Sequence, residues 1–373
     1  MTVIARLKAI AADPYTYTRS WKAKTGRPVI GTFCSYAPEE IILAAGALGI
    51  RLFGSGAPID RADAHLQAYS CSLVRSALED VLSGRLDFLD GTVFPHTCDS
   101  IQRLSDIWRL NAGVAFHADV VLPAKLNTDS SRAYTVDVFR AFAGTLETAL
   151  GVRLTDERLR AAIDTLNQIR SAVRRLYAVR LTNPAALPGS DLHAVIKAGM
   201  VMARDAYLED LTALLADIDA LPRPAAGKAL APVVLSGGVC NLPDLYGVVE
   251  AAGGRVVWDD LCTGVRGFEG TIDSEGDLIA NIALRYAERL VCPAKHAGNR
   301  TRGEALLECV HDTGARGVIF VVLKFCDPHG FDIPYIKAML EGAGIPSLLL
   351  ELEEGGATGG QLRTRIEAFI EMM

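Results

Sequence analysis

Nowhere in the 373 residues does an apolar run approach the roughly 18 residues needed to cross a bilayer as a helix, which sets aside an integral helical membrane protein. No secretory leader is expected either. Arg6 and Lys8 interrupt the first twelve residues and no small-residue cleavage site follows, so a soluble chain in the cytoplasm is expected. Lysine and arginine form no cluster on a recognisable reading helix and the net charge is -6, which argues against a nucleic-acid partner. There is no Cys-x-x-Cys pair, so a zinc ribbon, a thioredoxin site and a ferredoxin-type run are excluded. No Walker A sequence occurs. Gly54-Ser-Gly56 and Ser236-Gly-Gly238 could cradle a phosphate, but both fall short of a dinucleotide fingerprint, and no nucleotide site is expected on this chain.

What is present is ordinary globular composition, 50% hydrophobic and 22% charged, in a chain longer than the roughly 250 to 300 residues at which single cores stop growing. Two or three domains follow. Pro28–Phe33 reads as a buried strand, Cys34–Pro38 as a turn, Glu39–Gly49 as a helix and Ile50–Phe53 as a strand. The same layout recurs at Ala231–Leu235, Ser236–Pro243, Asp244–Ala252 and Arg255–Trp258. Leu89–Phe94 leads through Pro95–Cys98 into a helix over Ser100–Leu110. Its counterpart is Arg316–Leu323, a turn at Lys324–Pro328, a helix over Tyr335–Glu341 and a strand over Pro346–Leu352.

Strands alternating with helices define an α/β chain with parallel sheets. The spacing predicts an N-terminal helical extension over 1–27, a first α/β domain over 28–134, a helical linker domain over 135–227 and a second α/β domain over 228–373. Leu221–Gly227 is the turn-rich hinge into the last.

Eight cysteines, at 34, 71, 98, 240, 262, 292, 309 and 326, are too scattered for a disulfide framework. Ligands of open parallel sheets bind beyond the carboxyl ends of strands, and Cys34, Cys98, Cys240, Cys262 and Cys326 each follow a strand there. Any one of them could simply pack as a small hydrophobe, but five such placements point to thiolates facing a common site. Cys71 opens a helical run, where amide N–H groups favour a thiolate. Cys292 ends a predicted helix and reads equally as ligand or core. Cys309 sits inside one and reads as structural, and Cys240 is left open between the two.

Among other groups, His96 stands at a strand end two residues before Cys98 and is the best candidate proton donor, with a hydrogen-bonded loop histidine as the plainer alternative. Glu39 and Glu40 fit a helix start better than acid/base work. Lys324 and His329 flank Cys326, where they bind an anionic substrate group or remain solvated.

Four stretches together carry a resemblance: Gly31-Thr-Phe-Cys-Ser-Tyr-Ala-Pro-Glu-Glu40, Asp90-Gly-Thr-Val-Phe-Pro-His-Thr-Cys-Asp99, Lys324-Phe-Cys-Asp-Pro328 and Gln361-Leu-Arg-Thr-Arg-Ile-Glu-Ala-Phe-Ile-Glu371. At these residues the chain resembles the benzoyl-CoA reductase and 2-hydroxyacyl-CoA dehydratase family, from about residue 27 onward. Thr97-Cys-Asp-Ser-Ile-Gln-Arg-Leu-Ser-Asp-Ile-Trp108 looks nearest to the smaller catalytic subunit of the ATP-dependent benzoyl-CoA reductases.

The resemblance implies two flavodoxin-like domains and a heterodimer with a homologous cluster-binding subunit. It also implies an iron-sulfur cluster of the 4Fe-4S type held by Cys71, Cys98 and Cys326. In relatives with a double-cubane 8Fe-9S cluster further cysteines are needed, and Cys34, Cys262 and Cys292 are the positions that would supply them. The implied substrate is an acyl-CoA, benzoyl-CoA first, receiving a low-potential electron to form a ketyl-type radical, with a 2-hydroxyacyl-CoA dehydratase as the alternative. An electron-transfer protein with a double-cubane cluster is the reading outside these two. ATP would be hydrolysed only on iron-sulfur electron-donor partner subunits, consistent with the missing Walker A sequence, and His96 would supply a proton.

Overall fold

The computed structural model describes residues 2–221, 230–239, 244–289, 292–295, 297–353 and 359–373. Cys240, much of the predicted hinge and part of the second glycine-bearing turn lie outside the described residues.

Two helices begin the chain, α1 (Val3–Ala12) and α2 (Pro14–Thr25), each N-capped by a side chain, Thr2 and Asp13, that accepts from the backbone amide three residues on. The first sheet region runs β1 (Val29–Thr32), α3 (Glu39–Ala44), β2 (Leu48–Arg51), α4 (Ser72–Leu82), β3 (Gly91–Pro95), α5 (Asp99–Asn111) and β4 (Phe116–Val120). Four helices follow, α6 (Asp129–Leu150), α7 (Asp156–Thr182), α8 (Gly189–Gly199) and α9 (Arg204–Asp219). The second sheet region runs β5 (Ala231–Gly237), α10 (Leu245–Ala251), β6 (Gly254–Asp260), α11 (Leu278–Glu288), α12 (Thr301–Thr313), β7 (Gly317–Leu323), α13 (Asp327–Gly342), β8 (Ser347–Leu352) and α14 (Gly359–Glu371).

Both sheets are four-stranded and wholly parallel, in the orders β2-β1-β3-β4 and β6-β5-β7-β8. Parallel sheets require crossover helices that cover both faces, and β3 and β7 are accordingly buried almost throughout. In each sheet the chain leaves the first strand in one direction and returns on the other side. The crevice where crossovers diverge therefore lies between β1 and β3 in one sheet and between β5 and β7 in the other. The α/β reading with two parallel sheets and an intervening helical stretch is the architecture found.

Local differences have local causes. The helix predicted over Glu39–Gly49 stops at Ala44, because Gly46 takes φ +86° and turns the chain into β2 two residues earlier than read. The strand read as Arg255–Trp258 continues to Asp260 as β6: both aspartates are buried and satisfied in place, Asp259 by the Tyr177 and Tyr246 hydroxyls and Asp260 by Arg266 and Arg302. α13 begins at Asp327 rather than Tyr335. Pro328 fits the first helical turn, where no intrahelical N–H is needed, and Pro334 is accommodated inside.

The core is not divided at the sheet boundaries. One apolar cluster joins Ile30, Ile41 and Phe116 of the first sheet region to Phe139 of α6, Ile163 of α7 and Ile282 and Tyr286 of α11. Among the described residues no helix is long and apolar enough to cross a membrane.

Candidate functional site

Three cysteines occupy the same structural role. Cys71, Cys98 and Cys326 are the N-cap residues of α4, α5 and α13, each outside the helix and next to the unpaired amides of its first turn. The amides of Leu73 and Val74 favour the thiolate of Cys71, those of Ser100 and Ile101 that of Cys98, and that of His329 that of Cys326. Burial acts more strongly in the other direction and pushes the thiols up, to about 11 for Cys71 and about 12 for Cys98 and Cys326. Phe325, immediately before Cys326, sits at φ +65°, a left-handed conformation costly for an aromatic residue, and this turn carries the chain from β7 to the α13 N-cap.

These thiols feel one another. Negative charge on Cys98 acts on Cys71, charge on Cys326 and Cys34 acts on Cys98, and charge on Cys71, Cys262 and Cys292 acts on Cys326. Cys292, pushed up to about 11 chiefly by burial, likewise feels Cys262 and Cys34. Six cysteines from both halves of the chain therefore share one electrostatic neighbourhood. Cys309, inside α12, is outside it: after burial, its largest influences are Asp260 and Asp259. All seven described cysteines are free thiols.

Buried cations surround the thiols. Arg266 lies with Nη1 3.4 Å from Cys262 Sγ and donates from Nε to Asp260, while its Nη2 is buried with no partner among the described residues. Lys295, 4% exposed, donates to the Leu122 carbonyl at 2.8 Å and feels both Cys34 and Cys292. Arg289 packs over the Tyr36 ring and donates to Ser35 beside Cys34. Asp260 is held far below the usual carboxylate range: burial raises it, but Arg266 and Arg302 outweigh burial. His329 touches Cys326, with Nδ1 3.2 Å from Sγ, and burial next to Arg302 and Arg266 keeps its ring neutral. The sequence offers His329 as an anion-binding or solvated flank; it is instead buried against Cys326, as the i, i+3 spacing from the N-cap across the first turn of α13 allows.

Among the described residues no three His, Cys, Asp or Glu side chains close on a single metal ion. Thiolates of a cuboidal cluster bind different irons and stand further apart than ligands of one ion. Six free thiols in mutual range, with an orphaned guanidinium nitrogen and a buried ammonium beside them, fit a soft, anionic iron-sulfur group.

His96 belongs to a different set. Its Nε2 is 2.8 Å from Asp119 Oδ1 and its Nδ1 3.3 Å from the Gln102 amide, at the edge of the first sheet. Asp119 also accepts from Ser105 and stands 3.7 Å from His117, so it is held low despite part burial. Asp119 orients the His96 ring as a proton-transfer group requires. Sequence reading missed this partner because it lies on β4, more than twenty residues away.

Glu39 and Glu40 do stand in the first turn of α3, but their main partners are arginines. Glu40 is fully buried against Arg170, Arg285 and the Tyr286 hydroxyl, and Glu39 pairs with Arg204. Lys324 pairs with Glu353 at the surface.

Two wholly parallel sheets with free thiols at the N-caps of three crossover helices define an α/β protein with cysteines gathered at its strand ends. Residues 34–373 match the family model described as 2-hydroxyglutaryl-CoA dehydratase, D-component, and the chain belongs to that family. It is 28% identical to the lactoyl-CoA dehydratase subunit beta of Anaerotignum propionicum over 374 residues, 100% of this chain and 98% of the relative. It is 29% identical to a benzoyl-CoA reductase subunit of Thauera aromatica, over 99% of this chain and 97% of the relative. The (R)-2-hydroxyglutaryl-CoA dehydratase subunit beta of Acidaminococcus fermentans is 28% identical, over 100% and 99%. Dehydratase and reductase subunits are thus equally similar to this chain.

Proposed function

We propose that this chain is the iron-sulfur subunit of an enzyme complex that delivers a low-potential electron to an acyl-CoA thioester. The observation that carries the reading is the placement of three free cysteines, Cys71, Cys98 and Cys326, at the N-caps of separate helices that follow the parallel strands, with Cys34, Cys262 and Cys292 in the same electrostatic neighbourhood. Cys71, Cys98 and Cys326 would hold a 4Fe-4S cluster, with Cys34, Cys262 and Cys292 as the further thiols of a larger one. When bound, such a group supplies single electrons at a potential no side chain reaches.

The chain's own residues bind, shield and orient. The N-terminal amides of α4, α5 and α13 and the cations Arg266 and Lys295 offset the negative charge of thiolates taken out of water. Burial keeps water and oxygen from a radical formed on the substrate. His96, oriented by Asp119, holds the proton that a reduced acyl group takes up. ATP hydrolysis and a second, homologous cluster-binding subunit belong to the partners.

Two reactions share this electron delivery. Ring reduction of benzoyl-CoA is the reading the stretch Thr97–Trp108 suggested. Radical dehydration of a 2-hydroxyacyl-CoA is supported by the family model and by the dehydratase subunits among the relatives.

The test is anaerobic iron and sulfide quantitation with EPR on the protein purified with its associated subunits, repeated on Cys98→Ser. Cluster-bound iron in the wild type that is lost in the variant is expected, and turnover with benzoyl-CoA and with 2-hydroxyacyl-CoA then separates the reactions. Iron-free wild-type protein would overturn the reading.

A further inference from the structure

Asp259-Asp-Leu-Cys-Thr-Gly-Val-Arg266 carries the chain from the end of β6 into a short 3-10 turn, Val265–Gly267, and sets Cys262 and Arg266 four residues apart. The buried Asp259 carboxylate shapes this stretch. Fixed by the Tyr177 and Tyr246 hydroxyls, it accepts from the Leu261 amide at 3.3 Å and from the Val265 amide at 2.9 Å. Gly264 lies so close that a Cβ there would run into the carboxylate, so only glycine lets the chain fold back over Asp259.

The fold-back brings Arg266 to Cys262. Its Nε donates to Asp260 Oδ1 at 2.6 Å, its Nη1 lies 3.4 Å from the Cys262 sulfur, and its carbonyl accepts from Arg289. Asp260 is itself held by Arg302, and Arg266 is only 2% exposed, so the guanidinium is fixed in place. Nη2 is left buried with no partner among the described residues. A buried donor that bonds to nothing is destabilising, and here two aspartates and a glycine build the geometry that strands it.

Neighbouring cations are turned to protein oxygens. Arg289 donates to the Arg266 carbonyl and to Ser35, Lys295 to the Leu122 carbonyl, and Arg302 to Asp332, Ser236 and Asp260. Among the described cations, Arg266 alone combines a contact to a sulfur with a buried N–H left unpaired.

We propose that Arg266 is a positioning residue for the cluster the thiols hold: Nη1 fixes the Cys262 sulfur, and Nη2 donates a hydrogen bond to a sulfur of the bound cluster. The inference rests on the iron-sulfur reading above and adds a residue that sets the cluster's potential. A charge-assisted hydrogen bond to sulfur stabilises the more negative, reduced state, so Arg266 makes the cluster easier to reduce.

The experiment is EPR-monitored redox titration of the anaerobically purified complex, with pulsed ENDOR on protein whose arginines carry nitrogen-15. Wild type, Arg266→Lys and Arg266→Gln are compared, with iron content and melting temperature measured for each. The reduced wild-type cluster should show a coupling to labelled arginine nitrogen, and both variants should lose it. The midpoint potential should become more negative in Arg266→Gln, which lacks charge and donor, and shift less far in Arg266→Lys, which keeps the charge beside Asp260.

Arg266→Gln removes one of the two counter-charges of Asp260, so where it fails to fold Arg266→Lys carries the comparison. If neither variant retains iron, the wild type decides: coupling to labelled arginine sustains the inference and its absence overturns it. Coupling that survives Arg266→Lys, or a potential unmoved in both variants, overturns the inference while the bound cluster leaves the iron-sulfur reading standing. Iron-free wild type overturns both.

Discussion

His329 Nδ1 lies 3.2 Å from Cys326 Sγ, across the first turn of α13. With its ring kept neutral by burial and by Arg302 and Arg266, His329 can carry its proton on Nδ1 and donate it to the sulfur. A hydrogen bond to a ligand sulfur stabilises the more negative, reduced state. In the cluster-loaded protein, His329→Leu should therefore move the midpoint potential to a more negative value while leaving iron content unchanged. Redox titration followed by EPR measures it, and an unchanged potential would show that the contact is only packing.

The cysteines divide into groups that substitution should separate. Cys71→Ser, Cys98→Ser and Cys326→Ser should each lose most bound iron, since each removes a thiol at a helix N-cap. Cys309→Ser should lose none, because Cys309 stands apart from the other thiols. Substitutions at Cys34, Cys262 and Cys292 should remove part of the iron only if a larger cluster is present. Iron and sulfide assays under anaerobic conditions distinguish these patterns.

Much of this arrangement was legible in the sequence. A cysteine placed just after an apolar run and just before a helical one must stand at the carboxyl end of a parallel strand, which is how Cys98 and Cys326 declared themselves. What sequence could not show is pairing between distant elements. Arg266 reaching Cys262 and Asp260, Lys295 turned inward from beyond α11, and Arg51 buried at the end of β2 are products of packing between sheet and helical segments. The C-terminal end of β6 extends past Trp258 for the same reason: Asp259 and Asp260 are poor strand residues until tyrosines on α7 and α10 and arginines from beyond the strand satisfy them.

The His96–Asp119 pair predicts a kinetic rather than an assembly defect. Asp119→Asn removes the carboxylate that orients the His96 ring, and His96→Gln removes the imidazole that would transfer the proton. Both variants should retain wild-type iron content, and general acid catalysis of this kind is worth ~10²–10⁴ in rate, so His96→Gln should slow turnover by about that factor. Single-turnover measurements on the assembled complex would reveal it. Turnover equal to wild type would return His96 to a purely structural role.

Glu40 should control acid stability. It is fully buried between Arg170 and Arg285, with Arg285 at 3.6 Å and the Tyr286 hydroxyl at 3.1 Å. Burial alone would raise its carboxyl, but the two guanidinium charges outweigh burial and hold it below its ordinary 4.5. A carboxylate whose folded value lies below its unfolded one stabilises the fold above the unfolded value, and that stabilisation is lost as pH falls through the folded value. Glu40→Gln abolishes this contribution at every pH. It also leaves Arg170 and Arg285 buried without their counter-charge, and Arg285 is already pushed down to about 10 by burial and by Arg170. Breaking one partner of a buried ion pair costs about 3–5 kcal/mol, so the variant should lose about that much stability at pH 7. Below pH 4.5 the wild type should lose its advantage progressively, and the two stability curves should converge. Urea unfolding followed by circular dichroism at pH 7, 5 and 4 would measure the convergence. Parallel curves would mean that Glu40 binds protons equally well in the folded and unfolded chain, so that Arg170 and Arg285 do not outweigh burial.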